Sequence, residues 1–311
     1  MGTPISEKDV CENPANRSIE SSVTSGVKGE WRDYVSVTKP GIVVSNLMTF
    51  FVGVWLAADG PLPLGTMLMA MLGSALIIMS GTCLNNFIDR DLDQFMERTK
   101  KRALPDGRLN PQSVLMMGII FGILGSIVLL LVNTLTAVLG LVGLFFYVVV
   151  YTMWTKRTTT LNTLIGSVSG AMPPMMGYAA ISGMIDLTAW MLFGILFIWQ
   201  CPHFLALAMR RADEYRIAGF QMLPAVHGFA VTKRYILRYT AFLVLVSVML
   251  YALGEVGMVY LIGMTVLGIG YVIVNMMGFF TKDDIKFARK SFIYSLVYLV
   301  MFTVFILIDR V

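Results

Sequence analysis

The stretch GTMLMAMLGSALIIMSGTCLNNFI (65–88) contains no charged side chain, and the chain then turns abruptly acidic in DRDLDQFME (89–97). An apolar run of about 20 residues is what a helix needs to cross the hydrocarbon of a bilayer. The first segment therefore reads as a transmembrane helix, and the second as its exit into water. Residues four apart share a helical face, so Asn85, Asp89, Asp93 and Glu97 form one polar stripe leaving the membrane. Carboxylates so close repel one another unless a cation lies among them. Hard oxygen donors suit Mg²⁺, or Mn²⁺, which uses one or two carboxylates and completes its shell with water and phosphate oxygens. Asn85, Asp89 and Asp93 are accordingly the candidate catalytic and metal-binding residues. The plainer reading is a solvated helix end with Arg90 and Arg98 as counter-ions, but ionisable residues entering a span are usually functional.

The same apolar signal recurs near 40–58, 113–132, 134–152, 161–181, 188–208, 236–254, 256–279 and 291–308, giving nine spans in all. The breaks at Asn133 and at Gly254-Glu255 are so tight that the count needs an independent check. Basic residues supply it, because cytoplasmic loops carry the excess of Lys and Arg. With nine spans and a cytoplasmic N-terminus, every one of the 24 basic residues except Arg310 falls on the cytoplasmic side, while the opposite loops carry Asp59, Asp186 and Glu255. The expected fold is thus all-α and integral to the membrane, nine helices bundled around a central cavity. Composition agrees: 57% of residues are hydrophobic, 14% are charged and the mean hydropathy is +0.74, far from soluble-domain averages.

Residues 1–35 are polar and lack the apolar core of a signal peptide. They are expected as a disordered cytoplasmic tail, with 36–311 forming a single polytopic domain. A net charge of +5 could suggest nucleic acid, yet the basic residues lie beside spans, where orientation and contact with anionic lipid or phosphate are the better explanation; no nucleic-acid partner is expected. Cys11, Cys83 and Cys201 show no metal-ligand spacing and are expected as free thiols. Nucleotide-binding glycine fingerprints, a haem-attachment motif and a serine-hydrolase elbow are absent.

Three further segments carry candidate chemistry. After the acidic stripe come Arg98, Lys100, Lys101 and Arg102, a cationic run suited to a multiply charged diphosphate, although alone it would be an ordinary positive-inside loop. After the fourth span lie Lys156, Arg157 and Asn162, followed by Gly166 and Gly170, which permit close helix packing, and Pro173-Pro174, expected to interrupt the fifth span. The sixth span ends WQCPHFLALAMRRADEY (199–215). If its helix continues, His203, Arg210 and Glu214 fall on one face as a second cluster at the same boundary. His203 can ligate a metal or haem iron or move a proton, though a lone histidine is more often simply hydrogen-bonded. His227, in LPAVHG, reads as a loop residue without a special role. The 23 Met residues suit packing around something large and apolar, or ordinary gap-filling.

The pattern Asn85-x-x-x-Asp89-x-x-x-Asp93, with a second charged loop after span six, resembles the intramembrane prenyltransferases of the UbiA type. Within them, NNFIDRDLD (85–93), the residues Met96–Lys100 and Arg102, WQCPHFLALA (199–208) and Ala218–Pro224 are similar to the haem-farnesylating branch, over a stretch from about 32 to the C-terminus. The resemblance implies that Asn85, Asp89 and Asp93 hold Mg²⁺ on a diphosphate contacted by Arg98, Lys100, Arg102 and Lys156, with Arg210 a further candidate. It implies farnesyl diphosphate and haem b as substrates and the bacterial cell (inner) membrane as the location, with the active site near the cytoplasmic face. His203, Glu214 and Asn162 become candidates for the haem side, and the next haem-modifying enzyme a candidate partner. The second acidic motif departs from the family pattern: many members have two aspartates where this chain has Asp213 and Glu214. Two other readings remain open, a prenyltransferase with an aromatic or quinone-precursor acceptor and a secondary transporter built on a broken helix.

Overall fold

The computed structural model describes residues 29–311. A short helix α1 (Trp31–Val37) precedes α2 (Pro40–Ala57), α3 (Leu64–Asp93), α4 (Pro111–Val132), α5 (Thr134–Thr158), α6 (Asn162–Ser182), α7 (Leu187–Met209), the short α8 (Ala212–Ile217), α9 (Leu223–Ala252), α10 (Met258–Met277) and α11 (Asp284–Ile308). Helix α1 straddles the boundary expected at residue 35, with Asp33 and Val37 buried. Residues 1–28 of the expected tail, including Cys11, lie outside the described residues.

Eight of these helices are long and apolar enough to cross a membrane. The exception among the long ones is α6, whose 21 residues are rich in Gly, Ser, Met and Pro. Its composition follows from its place: it is walled in by α2, α5 and α7, and small side chains let backbones approach where Leu would hold them apart. A methyl group added at Gly177 would stand 2.0 Å from the Phe50 carbonyl oxygen, and one at Gly53 would stand 1.9 Å from that of Pro174. The break expected at Pro173-Pro174 does not occur, because α6 runs helically through both prolines. Proline removes ladder donors without ending a helix that its neighbours hold on all sides.

Both tight connections have local causes. Asn133 ends α4 in extended backbone and starts α5 by accepting the Thr136 N–H at 2.8 Å, while its amide donates to the Ala179 carbonyl of α6 at 3.0 Å. Gly254, with φ 79°, terminates α9 in the left-handed conformation that glycine adopts without penalty. Helix α9 itself starts well before the expected 236, at Leu223, and kinks at Gly228. His227 therefore belongs to the first turns of a helix and not to a loop.

The end of the bundle opposite the basic loops is stitched by side chains. Asp309 accepts the Tyr260 N–H at 2.6 Å, Glu255 accepts the Thr188 hydroxyl at 2.5 Å, and Asp186 accepts from Tyr178 at 2.5 Å. Arg310 donates to the Trp55 carbonyl at 2.7 Å and to that of Ala58. The solitary basic residue of this face thus braces the end of α2. Between the two ends, α2, α3, α5, α6, α7 and α11 enclose a cavity of about 400 Å³.

Candidate active site

Helix α3 brings Asn85, Asp89 and Asp93 into one line, all nearly sealed from solvent at 5%, 1% and 3% exposure. The stripe ends there. The helix terminates at Asp93, so Glu97, expected as its fourth member, lies in the following turns, exposed and paired with Lys100 at 2.6 Å. Buried charges survive only when paired, and each aspartate has found a cation. Lys156 donates to Asp89 Oδ2 at 2.6 Å, Arg157 lies 3.6 Å from Asp89 Oδ1, and Arg102 donates to Asp93 Oδ2 at 2.6 Å. Asn85 ties the line together: its amide donates to Asp89 Oδ2 at 2.8 Å and to the Thr152 hydroxyl at 3.2 Å.

Thr152 and Lys156 reach the stripe because α5 changes winding. From Phe146 to Thr155 it is a π-helix, and the Thr152 hydroxyl donates five residues back to the Tyr147 carbonyl. Such wide turns are rare and are found most often at functional sites. The same segment stacks Tyr147 on Tyr151, ring centres 6.0 Å apart, and both rings line the cavity.

Lys39 completes the cluster. Its backbone is left-handed, φ 50°, the one positive φ outside glycine among the described residues, and its ammonium donates to Asn85 Oδ1 at 2.8 Å. Removal from water, reinforced by Arg102 and Lys156 nearby, draws its pKa down to about 7. An arriving anion would push it back up. From the sequence alone Lys39 is one more basic residue of the positive-inside bias. The signal that could have found it is Lys39-Pro40, a cation at the first turn of a span beside a proline that fixes the helix start. Arg157, which follows Lys156 in the sequence, joins it at Asp89.

Two carboxylates thus face four cations, an excess of positive charge suited to a polyanion. Asp89 Oδ1 is buried without a hydrogen-bond partner, an orphan lone pair that a divalent cation would satisfy. Among the described residues no group of three His, Cys, Asp or Glu forms a metal cage; a cation held here would need oxygens from its ligand, as Mg²⁺ commonly takes from phosphates.

The cavity begins one turn deeper, at Gly81 and Thr82, and runs past Tyr215 and Met172 to Leu196. Here His203 lies with its ring between Trp199 (4.8 Å) and Phe292 (4.7 Å) and its Nδ1 2.7 Å from Ser295 Oγ. The single face expected for His203, Arg210 and Glu214 does not form: α7 stops at Met209, and Arg211, at φ −129°, starts a separate helix. Glu214 instead accepts from Arg211 at 2.7 Å, leaving its Oε2 buried and unpartnered. Arg210 lies over Phe292 at 5.6 Å, on the histidine side and away from the aspartates. Asp213 is exposed and paired with Arg216, and Asn162 is a strut that donates to the Gln221 and Thr159 carbonyls at 2.6 and 2.8 Å. His227 lines a separate cavity of about 200 Å³. Cys83 and Cys201 are buried free thiols.

Lys100 is exposed and paired with Glu97, whereas the guanidinium of Arg98 is partly withdrawn from water beside Arg102, Tyr215 and Asp93. Exposed ion pairs contribute little, so Lys100→Ala should leave the KM for a prenyl diphosphate within about twofold of its starting value in steady-state assays. A larger rise would place Lys100 at the diphosphate after all.

A buried acidic stripe among cations, set over an apolar cavity in a helical membrane bundle, defines a class: enzymes that handle an apolar diphosphate inside the bilayer. The UbiA prenyltransferase family matches residues 46–304, and the chain belongs to that family. Its relatives include a protoheme IX farnesyltransferase of Alkalihalophilus pseudofirmus, 51% identical with 93% of each chain covered. Another is protoheme IX farnesyltransferase 2 of Bacillus subtilis, 47% identical over 88% of this chain and 90% of that one. Among solved structures, a digeranylgeranylglyceryl phosphate synthase superposes with a TM-score of 0.75 at 16% identity, covering 89% of this chain and 98% of that one. A UbiA homologue from Archaeoglobus fulgidus bound to DMAPP and Mg²⁺ gives 0.67 at 14% identity, covering 88% and 99%; these two show the fold.

Proposed function

We propose that this chain is a protohaem IX farnesyltransferase, joining the farnesyl group of farnesyl diphosphate to a vinyl group of haem b to form haem O. The observation that carries this reading is the position of Asp89 and Asp93, buried with Lys39, Arg102, Lys156 and Arg157 directly above the cavity. The relatives' names supply the acceptor.

Asn85, Asp89 and Asp93 would hold Mg²⁺, or Mn²⁺, against the diphosphate; a UbiA homologue of the same fold binds DMAPP and Mg²⁺. The ion supplies charge neutralisation on the leaving group. Lys156, Arg157, Arg102 and Lys39 would swing part of their charge onto the diphosphate oxygens as they accumulate charge. The bond from C1 of the farnesyl chain to diphosphate oxygen breaks, with its electron pair leaving on the diphosphate, and C1 bonds to the terminal vinyl carbon. Water then adds a hydroxyl at the other vinyl carbon and loses a proton. The faces of Tyr147 and Tyr151 shelter the allylic cation, and the apolar walls keep bulk water from capturing it early.

We place nine spans in the bacterial cell (inner) membrane with a cytoplasmic N-terminus, residues 36–311 as one domain, and the active site near the cytoplasmic face, since the basic loops lie at the site's end of the bundle. A haem-modifying enzyme that takes haem O from the bilayer is the candidate protein partner. Purified protein given haem b, farnesyl diphosphate and Mg²⁺ should produce haem O. Chelation should abolish turnover, and Mg²⁺ or Mn²⁺ should restore it. Product from a quinone precursor and none from haem would reassign the acceptor, while folded protein that releases no diphosphate would overturn the enzymatic reading in favour of transport.

A further inference from the structure

We propose that Ser295 sets the tautomer of His203 so that its Nε2 lone pair faces the central cavity and ligates the iron of the haem acceptor, an inference resting on the haem-acceptor reading above. The Ser295 hydroxyl has one proton, and it donates that proton to the Phe292 carbonyl at 2.6 Å. With that proton so engaged, its oxygen, 2.7 Å from His203 Nδ1, accepts from the imidazole, which is the tautomer with the proton on Nδ1 and the lone pair on Nε2. Metal-ligating histidines characteristically donate their second ring N–H to a fixed acceptor in this way.

The ring has little freedom to do anything else. Trp199 and Phe292 clamp its two faces, with interplanar angles of 21° and 29°, and Phe204 meets it edge-on at 5.2 Å. Ser295 holds one edge. The other edge carries Nε2, which makes no hydrogen bond among the described residues and is absent from their sealed polar atoms, while His203, only 9% exposed, is part of the cavity wall. Nε2 is thus unpartnered and open to the cavity, where a ligand can reach it. Trp199, whose Nε1 donates to the Ser295 carbonyl at 2.8 Å, locks α7 to α11 at the same level.

The geometry also orients the acceptor. Arg210, seven residues and about 10 Å further along the chain, lies over the same Phe292 ring and forms no ion pair among the described residues. Iron on His203 would direct the haem carboxylates towards this boundary cation, leaving the vinyl-bearing edge inside the cavity.

The test uses the full-length protein in detergent, titrated with haem b and followed by its Soret and visible bands and, for ferric haem, by EPR. The unaltered protein should show a histidine-ligated spectrum. His203→Gly should lose that spectrum, and added imidazole should restore it, a rescue that a purely structural histidine would not give. Ser295→Ala should weaken haem binding by about 10- to 100-fold, with Ser295→Thr close to the unaltered protein. Haem bound with the same spectrum and affinity in His203→Gly would overturn this inference and leave the proposed reaction standing. Failure of the unaltered, folded protein to bind haem at all would overturn both.

Discussion

Asp89→Asn should lower turnover by about 1,000-fold, equivalent to roughly 4 kcal/mol of lost transition-state stabilisation, while the protein remains folded. The asparagine fills the same volume, its carbonyl can still accept from Lys156, and its neighbours at Asn85 and Arg102 are untouched. What disappears is the negative charge and the unpartnered Oδ1, the features that a divalent cation requires. Deleting the cation instead would be worse for folding, because Lys156→Ala leaves a carboxylate that is only 2% exposed with Asn85 and the more distant Arg157 as its partners, and breaking a buried pair costs up to about 3–5 kcal/mol. The check is haem O formation at saturating substrate, beside a size-exclusion profile of the same sample. Activity within tenfold of the unaltered enzyme would remove Asp89 from the metal site.

The second large effect is on the fold. Gly177→Leu should leave almost no folded protein, since even a methyl carbon there would stand 2.0 Å from the Phe50 carbonyl oxygen, and the obstacle is backbone that cannot rotate away. Gly53 makes the reciprocal approach to Pro174, so α2 and α6 must separate along their whole contact. Inserting side-chain atoms into a packed core typically costs about 1–3 kcal/mol and occasionally more; here fixed backbone blocks the whole crossing, so the loss should exceed that range and take up most of a typical stability of about 5–15 kcal/mol. Both helices wall the cavity through Thr49, Pro173 and Met176, so any molecules that do fold should bind substrates poorly. A thermal-unfolding midpoint equal to that of the unaltered protein would contradict this account of the crossing.

What could be read in the sequence was whatever depends on neighbours along the chain. Asn85, Asp89 and Asp93 lie four apart on one helix, and helical geometry alone aligned them. The span boundaries at Asn133 and Gly254 are tight, yet each is a residue type suited to a turn, an amide that caps and a glycine that accepts positive φ. Expectation failed where a helix end had to be located. Glu97 and Glu214 were placed on faces that stop at Asp93 and Met209, because nothing in local propensity marks those termini. The prolines of α6 failed in the opposite sense, since neighbouring helices preserve what the local rule would break. Lys39 against Asn85 and His203 against Ser295 join residues far apart in sequence, and only the packing of separate helices makes them partners.

The π-helical stretch Phe146–Thr155 makes the active site a matter of chain length as well as side-chain identity. A π-turn holds one residue more than an α-turn, so the stretch has already absorbed its extra residue, and one further insertion would carry Lys156 about 100° around the axis, away from Asp89. Every residue type of the site would still be present and the bundle could still assemble, but the ammonium would face another direction. Length variation, harmless in the connecting loops, is here as disabling as losing the lysine.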